Sequence, residues 1–228
     1  MIVRIAIIML HGSGGSGASL RDGIDYIPLT QLHGYQTLMK TLNNNKINHR
    51  YEVITPTANL RPYTYHGGEY TRVWFDRSVD FHKTGLDDKE DIDGINQSLS
   101  TLMQTINDME SLYDHIFLGG FSMGGGLVLH GLRLKLSPKV RGIFTMGSFL
   151  VQRSLVLREQ SLSTRSSQLP LLMMHGKTDI HTDRLAESIL YHSTSSELWY
   201  CIERMLAVYI SHTEYEINVN TIIRSTVT

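Results

Sequence analysis

One cysteine, Cys201, stands among 228 residues, so no disulfide can close within the chain. A chain this poor in cysteine carries no mark of an oxidising compartment, and a cytoplasmic home is expected. Charge of one sign is missing too. The formal net charge is -1, which removes the electrostatic case for nucleic acid or for an anionic membrane surface. No apolar stretch comes near the roughly 20 residues that cross a bilayer, so stable membrane insertion is not expected. The first apolar run, from Ile5 to Leu10, is shorter than a typical secretory h-region and reads as a buried first strand. Between Tyr26 and Tyr51 there is no aspartate or glutamate at all, which weighs against one nucleotide-binding reading of the chain.

What is present is a globular composition, 41% hydrophobic and 19% charged, in a length that suits one domain over 1–228 with a full core. Apolar β-type runs recur at 2–10, 51–54, 116–118, 140–146, 169–174 and 197–202. Helical patterns fall between several of them. The clearest puts Ile92, Ile95, Leu99, Leu102, Met103, Ile106, Met109 and Leu112 on one stripe. Asp91 and Asp93 sit in its first turn, where the helix dipole favours negative charge. Other helical stretches are read at 32–42, 125–135 and 183–191. This alternation predicts an α/β fold with a mostly parallel central sheet and helices on both faces. The aperiodic stretches 55–91 and 152–168 read as surface loops, the first a long excursion over the functional face.

Directly after the run at 116–118 comes Gly120-Phe121-Ser122-Met123-Gly124, a Gly-x-Ser-x-Gly pattern followed by a helix-compatible stretch. A serine hydroxyl is a poor nucleophile unless a sharp turn exposes it beside a base and beside donors for the developing oxyanion. Flanking glycines permit such a turn between strand and helix. A second glycine-rich turn, His11 to Gly17, follows the first strand and contains Gly12-x-Gly14-x-x-Gly17. That spacing matches a dinucleotide fingerprint, which also calls for a helix opening at the last glycine and an acid about 20 positions on. Neither is expected here, since the first acid after Asp25 is Glu52, which stands at the start of its apolar run. The other reading is an oxyanion loop, with N–H donors from Ser13 and from Met123, the residue after the nucleophile.

A triad on this architecture runs Ser, then Asp or Glu, then His, each at a strand end. Beyond the run at 169–174 lies His175-Gly176-Lys177-Thr178-Asp179, which makes Asp179 the candidate acid, with Asp183 the fallback. Of the downstream histidines, His181 is too close to Asp179 and His192 closes a helical pattern, whereas His212 follows the apolar run 207–210. His212 is therefore the candidate base, its tautomer fixed by Asp179. His175, Asp179, His181 and Asp183 cluster densely but match no recognised metal-ligand spacing, and no metal or other cofactor is expected.

With these residues in place the chain resembles the acyl-protein thioesterase and lysophospholipase family of serine hydrolases, and within it the lysophospholipase-like 1 branch. The resemblance rests on Leu10-His11-Gly12-Ser13-Gly14, Arg61-Pro62-Tyr63-Thr64, Gly67-Gly68, Val73-Trp74-Phe75-Asp76-Arg77, the stretch from Gly119 to Gly125, and His175 to Asp179. It implies an α/β-hydrolase fold without a large lid, in a cytoplasmic enzyme that cleaves esters or thioesters through an acyl-serine intermediate. Its substrate would be a small acyl ester or an acylated protein. By position, the resemblance implies Ser122 as nucleophile, Asp179 as acid, His212 as base, Ser13 and Met123 as oxyanion donors, and Trp74 near the substrate groove. Ordinary packing is the other reading of Trp74 and Phe75. The chain departs from the family's usual pattern at Gly15, where an aspartate is common, and at Gly126 and Ser211. Those departures support a rival reading, a hydrolase-like binding protein with weak or no catalysis.

Overall fold

The structure, a computed structural model, describes residues 2–25, 48–78, 89–148, 150, 154–158 and 169–174. Its elements run β1 (Ile2–Leu10), α1 (Gly17–Asp25), β2 (Asn48–Ile54), β3 (Leu60–Tyr63), β4 (Glu69–Arg72), α2 (Ile92–Glu110), β5 (His115–Phe121), α3 (Met123–Gly131), β6 (Val140–Met146), α4 (Leu155–Arg158) and β7 (Leu171–Met174). Successive side chains of a strand point to opposite faces, so a strand with no polar alternation must be covered on both sides. Ile5 to Leu10 are each no more than 1% exposed, and β1 accordingly lies inside a five-stranded sheet of order β2-β1-β5-β6-β7. Every described pair in that sheet is parallel. The chain moves outward one way from β1 to β2 and the other way from β5 through β7. Right-handed crossovers then set the connecting helices on opposite faces.

The stripe of α2 is buried at Ile95, Leu99, Leu102 and Ile106, each such side chain contributing about 1.5–3 kcal/mol. Met103 and Met109 pack at its margin. The helix stops at Glu110, and Leu112, expected at the end of the stripe, is 50% exposed. At the other end Asp91 caps the helix by accepting the Gly94 N–H at 3.0 Å. All nine residues of α3 are buried, as suits a helix apolar on every side, and it ends four positions before the expected limit at 135.

Three local expectations are corrected. A helix does open at Gly17, because Ser16 and Ser19 each accept the other's backbone N–H at 3.0 Å in a reciprocal cap. The dinucleotide pattern still lacks its acid, since Glu52 lies within β2 rather than past its end. The excursion after residue 54 contains an antiparallel hairpin, β3–β4, which turns through a 3-10 segment at Thr64–His66 and through Gly67. Within 152–168, Leu155–Arg158 form a short helix. The helical patterns at 32–42 and 183–191 and the run at 197–202 lie outside the described residues.

Candidate active site

In an open parallel sheet, ligands bind beyond the carboxyl ends of the strands where strand order reverses. Here that point is the boundary between β1 and β5, whose last paired residues are Leu10 and Gly120. Both glycine-rich turns leave from it, one from each strand.

Ser122 turns the chain from β5 into α3 with φ 50° and ψ −119°, and among the described residues it alone combines a positive φ with a side chain. Such a conformation costs about 1–3 kcal/mol and persists only where its surroundings fix it. Two bonds do so. The Ser122 N–H donates to the Met146 carbonyl at 2.8 Å, and its own carbonyl accepts the Gly126 N–H at 3.1 Å, starting the helix. Close packing completes the turn: a Cβ on Gly124 would lie 2.5 Å from the Leu10 carbonyl oxygen and 2.6 Å from that of His11. The side chain of Met123 is fully buried. Its N–H belongs to the first turn of α3, where backbone donors have no partner within the helix.

The loop after β1 lies against this turn. A Cβ placed on Gly12 would stand 3.3 Å from Ser122 Cβ and 3.1 Å from the ring of Phe121. Phe121 itself is 43% exposed beside the nucleophile. The loop is fastened to the segment that runs from Ala58 through the hairpin to Trp74. His11 is buried, its Nε2 accepts the Ala58 N–H at 3.0 Å, and its Nδ1 lies 2.6 Å from the Gly12 carbonyl oxygen. Trp74 stacks on the His11 ring at 5.0 Å between centroids and donates its indole N–H to the His11 carbonyl at 2.8 Å. Gly14 donates to the Arg72 carbonyl at 2.9 Å, Arg72 donates to the Ala58 carbonyl at 3.2 Å, and the Tyr63 hydroxyl is hydrogen-bonded to the Ser13 side chain. Burial holds the His11 imidazole below its usual pKa and the Arg72 charge adds to this, against the opposing pull of the Gly12 carbonyl. Burial likewise raises the Tyr63 phenol.

Further bonds tie this strap to α2. Asp76 accepts the Thr64 N–H at 2.7 Å and the Thr64 hydroxyl, and gives its own N–H to Asp91 at 2.8 Å. Ser98 donates to the Trp74 carbonyl. Behind the nucleophile, His130 at the end of α3 meets the Glu90 carboxylate at 3.1 Å, and Glu90 also accepts the Leu155 N–H at 2.9 Å. Burial alone would raise the Glu90 carboxyl, but hydrogen bonds from His130, Ser154 and Leu155 outweigh it and hold it at about 2.

Of the expected site residues, the structure brings together Ser122, Met123 and Ser13 beyond the carboxyl ends of the two interior strands β1 and β5. It buries Trp74, 3% exposed, beneath the loop. Asp179 and His212 lie outside the described residues. Sequence reasoning does not single out Ala58, Tyr63, Arg72 or His11 as supports of the loop. His11 carries a signal, a polar residue at the end of an apolar strand just before glycine, whereas the others are joined to the loop only by the tertiary fold.

The sequence profile of the phospholipase/carboxylesterase family matches residues 3–222. Lysophospholipase-like protein 1 of Mus musculus is 33% identical over 178 residues, which cover 76% of this chain and 66% of that protein, a little under two thirds of its length. Acyl-protein thioesterase 1 of Debaryomyces hansenii is 32% identical over 180 residues, 76% of this chain and 69% of that protein. Among solved structures, Arabidopsis thaliana SOBER1 superposes with a TM-score of 0.65 at 18% identity, covering 91% of this chain and 100% of that one. Zea mays acyl-protein thioesterase 2 gives 0.63 at 21% identity over 91% and 94%. At these identities the structural likeness speaks for the α/β-hydrolase fold.

Proposed function

This chain belongs to the phospholipase/carboxylesterase family, and from that membership and the geometry around Ser122 we propose that it is a serine hydrolase cleaving short to medium acyl esters or thioesters. The observation that carries the reading is Ser122 held at φ 50° between β5 and α3, with the His11–Gly15 loop packed against it. Strain of this kind is kept where a side chain must be presented at a fixed point. The names of the mouse and Debaryomyces relatives direct the substrate class toward lysophospholipids or S-acylated proteins.

In the proposed reaction His212, oriented by Asp179, takes the Ser122 proton as Oγ attacks the acyl carbon. The N–H groups of Met123 and Ser13 receive the oxyanion. The leaving alcohol or thiol departs with the proton held by His212, and water then releases the acid from the acyl-serine. Trp74 serves the substrate site from below, through the loop it supports. The enzyme acts as one domain in the cytoplasm, and no helix among the described residues is long and apolar enough to cross a membrane.

Purified protein is expected to hydrolyse a short-chain aryl ester and to label with a serine-directed phosphonate, and Ser122→Ala should abolish both. Absence of labelling, or labelling that survives Ser122→Ala, overturns the reading in favour of a hydrolase-like binding protein. An ester series from acetyl to palmitoyl then fixes the acyl length.

A further inference from the structure

The two ring nitrogens of His11 make hydrogen bonds of different kinds. A backbone N–H can only donate, so the Ala58 N–H at 3.0 Å requires a lone pair on Nε2. The ring proton therefore sits on Nδ1, and it is this N–H that meets the Gly12 carbonyl oxygen at 2.6 Å. A second donor, the Gly15 N–H at 3.2 Å, takes the same oxygen. Both lone pairs of the Gly12 carbonyl are thus engaged.

The peptide joining Gly12 to Ser13 is trans, as are all the described peptides. In a trans peptide the C=O and the following N–H point in opposite directions. Fixing the Gly12 oxygen against the His11 ring therefore fixes the direction of the Ser13 N–H, pointing away from that ring. We propose that His11 is a positioning residue: as the neutral tautomer protonated on Nδ1, it sets the Gly12–Ser13 peptide plane and thereby aims the Ser13 N–H as an oxyanion donor for Ser122. The role rests on Ser122 being the nucleophile. It also explains how the loop keeps its shape with glycine at position 15, where a Cβ would press to 3.2 Å from His11 Nδ1 and 3.3 Å from the Gly12 oxygen.

Were the clamp absent, rotation of this one peptide would present the Gly12 carbonyl to the developing negative charge. Catalysis would suffer and ground-state binding would not, because the misplaced dipole meets charge only in the transition state.

Three measurements on the full chain test this. Long-range proton–nitrogen NMR of protein labelled in histidine, at neutral pH, should show the His11 ring with an unprotonated Nε2 and a protonated Nδ1. This readout needs no activity, and the opposite tautomer or a cationic ring overturns the proposal. In parallel, His11→Leu is expected to lower kcat by about 50-fold with KM within about twofold. His11→Asn, whose amide N–H can occupy the place of Nδ1–H, should recover most of that loss. A trifluoromethyl ketone that forms a tetrahedral adduct should weaken in proportion to kcat across the three proteins. Equal kcat in His11→Leu and wild type, with phosphonate labelling of Ser122 intact, overturns the positioning role while the hydrolase reading stands. Loss of labelling in the wild type overturns the hydrolase reading instead. If His11→Leu does not fold, the tautomer and the His11→Asn kinetics decide, and an Asn variant that loses kcat as severely as Ser122→Ala counts against the clamp.

Discussion

The turn that carries Ser122 and the loop that lies against it leave the carboxyl ends of neighbouring interior strands, yet they are held by different means. The Ser122 turn is shaped by backbone packed on backbone. A Cβ on Gly120 would fall 2.4 Å from the Gly124 carbonyl carbon and the Gly125 nitrogen, and one on Gly124 would meet the carbonyls of Leu10 and His11. Backbone crowds backbone there, from the turn itself and from the end of β1, while the Met146 carbonyl of β6 holds the Ser122 N–H. The His11 loop is shaped instead by hydrogen bonds and side chains. The nearest atoms to added Cβ groups on Gly12 and Gly14 are the Phe121 ring at 3.1 Å and the Thr71 methyl at 4.0 Å. What fixes its path is the hold of the His11 ring on the Gly12 carbonyl together with bonding to Ala58, Tyr63, Arg72 and Trp74, all far along the chain. The nucleophile is therefore set by rigid backbone packing, whereas the oxyanion donor is set by hydrogen bonds and side-chain contacts, the His11 ring among them, that substitutions can loosen by degrees.

The largest effect should come from adding one methyl group to each region. Gly124→Ala drives a Cβ against two backbone oxygens that cannot rotate away, a clash of about 3 kcal/mol or more. A fall in Tm of about 10 °C is expected for a chain of this length, with kcat reduced by more than about 100-fold. Gly12→Ala meets a ring edge and the Ser122 Cβ at 3.1 and 3.3 Å, and should move Tm by less than about 3 °C. Thermal melting and an ester assay on both proteins decide. Equal Tm losses would show that the loop is as tightly enforced as the turn.

Acid separates the two regions next. The folded His11 imidazole has its pKa lowered from 6.5, so the unfolded chain binds that proton more readily. Its contribution to stability is full above about 6.5 and is lost as pH falls from there through the lowered folded value. Glu90, which anchors the far end of α3, is held at about 2 against a usual 4.5. Its contribution is full above about 4.5 and is lost as pH falls from 4.5 toward 2. Urea midpoints measured across pH should thus decline in two windows. His11→Asn should flatten the upper one alone, and Glu90→Gln the lower one alone, at a cost of about 2 kcal/mol for the partners it leaves buried without their carboxylate. A single window removed by either substitution would mean that loop and helix yield together.

The same contrast explains which features can be read from residue order alone. Gly120 to Gly124 is legible because a strand, a nucleophile turn and a helix follow one another in sequence, and the steric demand is written in adjacent glycines. The sheet strands and the stripe of α2 are legible for the same reason, as periodicity is local. Residues 55–78 are not: Pro62, Tyr63, Thr64 and Asp76 show no period, and the hairpin exists because Asp76 accepts both Thr64 donors and Ser98 reaches the Trp74 carbonyl from α2. The helix at Gly17 escapes sequence reasoning because Ser16 and Ser19 make a weaker signature than a serine paired with glutamate. Resemblance alone places Trp74 near the groove, and only its bond to the His11 carbonyl shows what it supports.

The smallest expected effect is at Tyr63, and it bears most finely on how the loop is held. Tyr63 is 3% exposed, but its hydroxyl meets the side chain of Ser13, which faces solvent. Tyr63→Phe keeps the buried ring and leaves the Ser13 hydroxyl free to bond water, so no polar group is stranded and stability should change by less than about 0.5 kcal/mol. The bond it removes restrains the Ser13 side chain, whereas the Gly12 carbonyl restrains the Ser13 N–H. If the peptide plane is what matters, kcat should fall by only about threefold with KM unchanged, far less than for His11→Leu. A loss as large as that of His11→Leu would transfer control of the donor from the peptide to the serine side chain, and the loop would then be held from the hairpin rather than from the histidine.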